Sequence, residues 1–243
     1  MIGKHFTAVL LSGVLVACSG AEDPSELDAG ERAEAASLQQ QFEAARAAGS
    51  WEVAEAHADE LRRRFPGSEA SQGLDANLAQ VREQAEAARE TRRLRDLWTY
   101  QSTSVPGEAR PQRTATIYSR TPPVGEGEPA IAPDARLVLR DHPAWGRSAY
   151  LLLAQSRFEC PSPCSVRIRF DAGQAQDYAA RQADSGQGPA LFIEDEKRFE
   201  AALAQARELK IQLPKGSGSV SSLGFEVGGF SPPRYDRPQV LGP

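Results

Sequence analysis

The apolar positions of this chain change their spacing once. Over residues 25–97 they recur every three or four residues, the repeat of amphipathic helices. Within residues 25–48, Leu27, Leu38, Phe42 and Ala45 share one face, and Gly49-Ser50 ends the run. Within residues 51–65, Trp51, Ala54, Ala58, Leu61 and Phe65 do the same, and Pro66-Gly67 breaks the helix. Ser68 then suits the N-cap of a third segment reaching Leu97. There Leu74, Leu78, Val81, Ala85 and Ala88 alternate by four and three into a narrow seam of the coiled-coil kind.

After Trp98 the spacing becomes two, and turn residues are frequent. Strands are expected over residues 98–102, 114–119, 136–140, 148–153, 166–170, 191–193, 209–213 and 221–227. One helix interrupts them: Asp195 caps it, with Phe199, Leu203 and Ala206 on its buried side. The fold class predicted is α+β, an N-terminal helical hairpin or stalk followed by a mostly antiparallel β-sandwich or small barrel with one helix. Residues 105–112 and 121–133 hold much of the Pro and Gly of this half and read as loops. Residues 232–243, rich in proline, are expected to be disordered.

The first residues carry an address. Lys4 and His5 precede an apolar run over residues 6–16, too short to span a bilayer as a helix. Its end, Leu15-Val16-Ala17-Cys18, resembles the bacterial lipobox. That resemblance implies cleavage before Cys18, diacylglycerol on its thiol, and an anchor of two or more acyl chains. It further implies, through Ser19, sorting to the outer membrane and a place on its periplasmic face. Residues 1–17 are then a signal peptide, 18–24 a tether, 25–97 a helical region, and 98–231 the presented domain.

Charge and cysteine use narrow the partners. The formal net charge is −5, which supports neither nucleic-acid binding nor a polybasic membrane surface. With Cys18 committed to lipid, Cys160-Pro161-Ser162-Pro163-Cys164 holds the other two cysteines. An isolated pair in an oxidising compartment is expected to form a disulfide. A redox pair usually has a two-residue spacer, and a metal site needs ligands beyond these two thiolates, with only His57 and His142 to supply them.

Two partial resemblances extend this picture. Ala54, Ala58, Phe65 and Pro66 are similar to the small, aromatic and proline positions of a tetratricopeptide hairpin, though no second copy follows at the repeat period. Residues 98–231, through Trp98-x-Tyr100, Ala115-Thr116-Ile117-Tyr118-Ser119, Leu137-Val138-Leu139-Arg140 and Cys164-Ser165-Val166-Arg167-Ile168-Arg169-Phe170, resemble small all-β envelope domains. The groups concerned are the invasion-associated locus B proteins and the type VI secretion accessory protein VasI. That resemblance implies a secreted β-sandwich with a short-loop disulfide and a binding or structural role, and brings no catalytic residues.

No catalytic or cofactor constellation emerges. Gly216-Ser217-Gly218-Ser219 lacks the order of a hydrolase elbow, Glu194-Asp195-Glu196 reads as a helix start, and phosphate and dinucleotide loops are absent. Among the aromatics Trp98, Tyr100, Trp145, Tyr150 and Phe158, core packing is the ordinary use. Trp145 differs, because His142-Pro143-Ala144-Trp145-Gly146 reads as a loop. The expectation is a non-enzymatic envelope lipoprotein without cofactor or metal, whose sheet domain binds a protein or cell-wall partner, with Trp145 as a binding residue. The alternatives are a periplasmic enzyme or enzyme inhibitor using the loops near Trp145 and Cys160, and a tetratricopeptide-like assembly module in the helical region.

Overall fold

The computed structural model describes residues 27–120, 135–153, 158–183, 189–213 and 222–237. It divides into two compact units, Met1–Gln84 and Ala85–Pro243.

The first unit is helical. α1 (Ala29–Ala47) opens with a reciprocal cap. Asp28 Oδ1 accepts the Glu31 amide at 2.8 Å, and Glu31 Oε2 accepts the Asp28 amide at 2.9 Å, so two otherwise orphaned donors are satisfied. Gly49, at φ +68°, turns the chain into α2 (Trp51–Arg64). Phe42 and Leu61 are wholly buried, and Ala54 and Ala58 present only methyl groups, which lets α1 and α2 approach closely. The third expected segment is two helices: α3 (Glu69–Gln72) and α4 (Asp75–Asp96). Ser68 caps α3, its hydroxyl accepting the Ser71 amide at 3.1 Å. The break at Gly73-Leu74 turns Leu74 into the core, where it is wholly buried beside Leu78 and Val81. The arginines of Arg62-Arg63-Arg64 lie on solvated helix faces as expected: Arg62 pairs with Asp75, and Arg64 with Glu34 and Glu60.

The second unit begins inside α4, not after residue 97. The reason is local: Leu94 is buried against Gly228 and Gly229, and Arg93 pairs with Glu226 at 2.9 Å. Among the described residues nine strands follow: β1 (Thr99–Thr103), β2 (Gln112–Tyr118), β3 (Ala135–His142), β4 (Gly146–Leu153), β5 (Cys164–Phe170), β6 (Gln176–Gln182), β7 (Ala190–Ile193), β8 (Glu208–Gln212) and β9 (Ser222–Glu226). They form one sheet in the order β1-β2-β3-β4-β7-β6-β5-β8-β9, with every neighbour antiparallel. The α+β order and the antiparallel pairing are therefore as expected, and the strands are joined in one hydrogen-bonded sheet. That sheet curls until its ends meet. The Arg120 amide, just past β2, donates to the Gly224 carbonyl of β9 at 2.7 Å, and Trp98 Nε1 donates to the Val227 carbonyl at 3.3 Å.

Inward residues at every second position build one core, with Ile117, Leu137, Leu139, Leu151, Ile168, Ile211 and Phe225 each no more than 1% exposed. α5 (Glu196–Leu203) packs Phe199 and Leu203 onto it, and Asp195 Oδ1 accepts the Arg198 amide at its start. Two expectations are corrected. β6 was not foreseen: in Gln-Asp-Tyr-Ala-Ala-Arg-Gln only Tyr178 and Ala180 are buried, too few apolar residues to mark a strand. The disordered tail does not hold over its first residues. There α6 (Pro232–Asp236) forms, because Tyr235 enters the core at 1% exposure and Phe230 packs on Trp98 at 5.0 Å.

Candidate functional site

The β3–β4 hairpin carries the most exposed aromatic residue among those described. Gly146, at φ +74°, takes the left-handed conformation the turn requires, and Trp145 just before it is 71% exposed. The indole is not free to wander. It lies flat on the His142 imidazole, with ring centroids 3.8 Å apart and planes 12° from parallel. His142 is itself buried, and its Nδ1 accepts the Ala144 amide at 3.1 Å. Arg140 Cζ also stands 5.4 Å from the Trp145 ring centroid, within cation–π range.

The hairpin adjoins an unusual sheet surface. In antiparallel pairs, residues directly opposite share a face. Thr116 faces Val138, Val138 faces Tyr150, Tyr150 faces Phe192, and Phe192 faces Arg181. This row crosses five strands on the side away from the core. Arginines interleave with its rings: Arg136 over Tyr118 at 5.8 Å, Arg140 over Tyr150 at 5.4 Å and Arg181 over Phe192 at 4.6 Å. The layer is thick enough that Val138, an outward residue, is only 5% exposed. Burial raises the Tyr150 phenol above its ordinary value, opposed by the charges of Arg140 and Arg136.

A second polar cluster closes one end of the curled sheet. Arg110 donates to Asp141 Oδ1 at 3.0 Å and to the His142 carbonyl at 3.2 Å, which fixes the base of the hairpin. Arg147 on β4 donates to Glu200 at 2.8 Å and to Asp236 at 2.5 Å, and lies 5.2 Å from the Tyr235 ring centroid. Glu200 Oε1 and the Tyr235 hydroxyl are buried without a hydrogen-bond partner. Burial pushes the Glu200 carboxyl up against the pull of Arg147. The Tyr235 phenol is raised strongly, by burial first and by the Glu200 charge second.

The residues singled out from sequence fall as follows. Cys160 and Cys164 form a disulfide, with Cα atoms 5.4 Å apart, a spacing ordinary for such bridges. Trp98 and Phe158 are core residues, and Tyr100 packs partly against the core, its hydroxyl accepting the Ser231 amide at 2.8 Å. Tyr150 instead joins the outward row. Cys18 and Gly216–Ser219 lie outside the described residues. Among the described residues no group of three metal-ligating side chains gathers, and no helix is long and apolar enough to cross a membrane. Sequence reasoning missed Arg136, Arg140, Arg181 and Phe192, which only the strand order assembles. The alternation Arg136-x-Val138-x-Arg140 was the one available signal.

No protein-family model matches the chain, and no curated protein matches it. Among solved structures it is similar to the crystal structure of invasion associated protein B from Bartonella henselae. The two share 18% identity over 55% of this chain and 86% of that one, with a TM-score of 0.34.

Proposed function

We propose that the chain is an envelope lipoprotein, anchored through lipid on Cys18 to the periplasmic face of the outer membrane, that works by binding and not by catalysis. Its sheet unit presents a surface centred on Trp145 to a protein or cell-wall partner. One observation carries the reading: an indole 71% exposed to water is nevertheless held in place by the buried His142 ring and by Arg140. Large aromatics fixed in a rigid, exposed setting bind at small entropic cost, which is why they dominate recognition surfaces. The lipobox residues Leu15-Val16-Ala17-Cys18 support the anchor.

The test separates anchor from partner. In cells, Cys18→Ser, placed behind an exchanged secretory signal whose cleavage needs no lipidated cysteine, removes the lipid and with it the incorporation of labelled palmitate. The unlipidated chain should still fractionate in part with the envelope through its partner, and adding Trp145→Ala should release it to the soluble fraction. A Cys18→Ser chain that is wholly soluble, or one whose retention ignores Trp145→Ala, would remove the proposal.

A further inference from the structure

We propose that the partner surface takes an anionic polysaccharide, laid across the outward face of the sheet from β3 to β8. This names the partner class for the surface just proposed and rests on that reading.

The charges on this face carry the inference. Although the chain is net negative at −5, its outward sheet residues include Arg136 and Arg140 on β3, Arg167 and Arg169 on β5, and Lys210 on β8. Among the described residues none of these five forms an ion pair, whereas arginines elsewhere pair repeatedly, as Arg62, Arg82, Arg93, Arg110 and Arg147 do. Arg169 and Lys210 stand directly opposite each other across β5 and β8, an arrangement of like charges that costs stability. The one acid set against them in register is Asp177, opposite Arg167. Cations kept apart from the chain's own carboxylates suit a carboxylate or phosphate from outside, which a guanidinium receives through two parallel hydrogen bonds.

The shape of the face selects a polymer. From β3 to β8 there are five strand steps, roughly 24 Å along the sheet at about 4.8 Å per strand. The cations are spread along this span instead of converging on one point. Between them, Tyr150 on β4 and Phe192 on β7 offer rings beside Arg140 and Arg181, with Trp145 at the hairpin end. Trp145, 71% exposed, leaves surface against which the C–H groups of a sugar ring can pack, while acidic substituents reach the arginines. An acidic protein would want a central pocket for an anchoring side chain, whereas cations at both ends of the span, on β3 and on β5 and β8, suit a chain lying across it.

The experiment uses the full-length protein in nonionic detergent micelles, with polygalacturonate as the carboxylated sugar chain. Uncharged dextran, poly-L-glutamate and oligo-dT serve as comparators. Polygalacturonate should bind, and its affinity should fall as salt rises. The double variant R136Q/R140Q should lower that affinity at least tenfold, with R136K/R140K intermediate because charge remains but the planar fork is lost. Dextran should not bind, and poly-L-glutamate and oligo-dT should bind at least tenfold more weakly than polygalacturonate. Equal or tighter binding of poly-L-glutamate or oligo-dT, indifference to R136Q/R140Q in a protein with unchanged circular dichroism, or no binding of polygalacturonate would each overturn the proposal. If these fail while Trp145-dependent envelope retention persists, the partner class falls and the binding role stands. Loss of that retention removes the binding role itself.

Discussion

Trp145 lies face to face with His142, ring centroids 3.8 Å apart, so the most exposed aromatic among the described residues rests on one of the few buried polar ones. The hairpin is built for this contact. Gly146 supplies the left-handed turn, the Ala144 amide fixes the imidazole through Nδ1, and Arg110 ties down Asp141 and the His142 carbonyl. The arrangement stiffens a side chain that contributes almost nothing to the core, and so points to use outside the fold.

Trp145→Ala should therefore leave stability nearly intact, with a loss of about 1 kcal/mol or less, the worth of one exposed ring stack. Urea unfolding monitored by circular dichroism checks this. A loss of several kcal/mol would show that Trp145 is structural.

Tyr235 predicts the opposite division. Its ring is 1% exposed and its hydroxyl has no hydrogen-bond partner. Tyr235→Ala should cost about 3–5 kcal/mol, as loss of a buried aromatic does. Tyr235→Phe should be close to neutral, since it removes an unsatisfied buried group. Paired urea unfolding curves for the two variants give the comparison.

Glu200 makes stability depend on pH in a stated direction. Its carboxyl is raised in the folded chain, so the folded state holds the proton more tightly than the unfolded one. The stability linked to this group is present in full below the ordinary carboxylate range and is lost as pH rises through the raised folded value. Glu200→Gln cannot ionise, so the variant should gain on the native protein as pH rises from about 4 to 7, across the ordinary carboxylate value and above it. Unfolding midpoints at both pH values measure the difference. A gap that shrinks with rising pH would contradict the assignment.

Gly229 tests the junction of α4 with the sheet. A Cβ there would collide with the backbone carbonyl of Leu94 and the amide of Arg95, so Gly229→Ala must displace the end of the helix. The expected cost is about 1–3 kcal/mol, typical of forced overpacking, and thermal unfolding would register it.

The disulfide closes a loop with a sequence separation of 4. Chain entropy assigns so small a loop about 2 kcal/mol. Cys160→Ser with Cys164→Ser should lose about that amount by urea unfolding, and peptide mapping without reduction should find the two cysteines joined in the native protein.

Much of the fold was legible because local pattern and packing agree. Leu209-Lys210-Ile211-Gln212 alternates in sequence and alternates in the sheet, and Asp195 caps the helix it was expected to cap. β6 was illegible because Asp177 and Arg181 occupy outward positions while glutamine and alanine share the inward side with Tyr178, so its pairing with β5 and β7 outweighs its own weak preference. α6 was hidden for another reason: Pro232-Pro233 reads as a breaker, yet proline suits a helix's first turn, and Tyr235 supplies the burial. The candidate surface was legible only at Trp145. Arg136, Arg140, Phe192 and Arg181 are distant in sequence and meet because β4 pairs with β7 and β7 with β6, skipping β5. That order is set by the core on the far side of the sheet, which no local pattern on the outward residues records.

The most direct test places a photo-crosslinking phenylalanine analogue at single positions of the anchored protein in intact cells. Position 145 at the hairpin and position 150 beside it on the outward face should each give a discrete adduct on irradiation, and Val53, exposed on α2 of the helical unit, should give none. Adducts of equal yield at all three positions, or none at 145 and 150, would contradict a binding surface centred on Trp145.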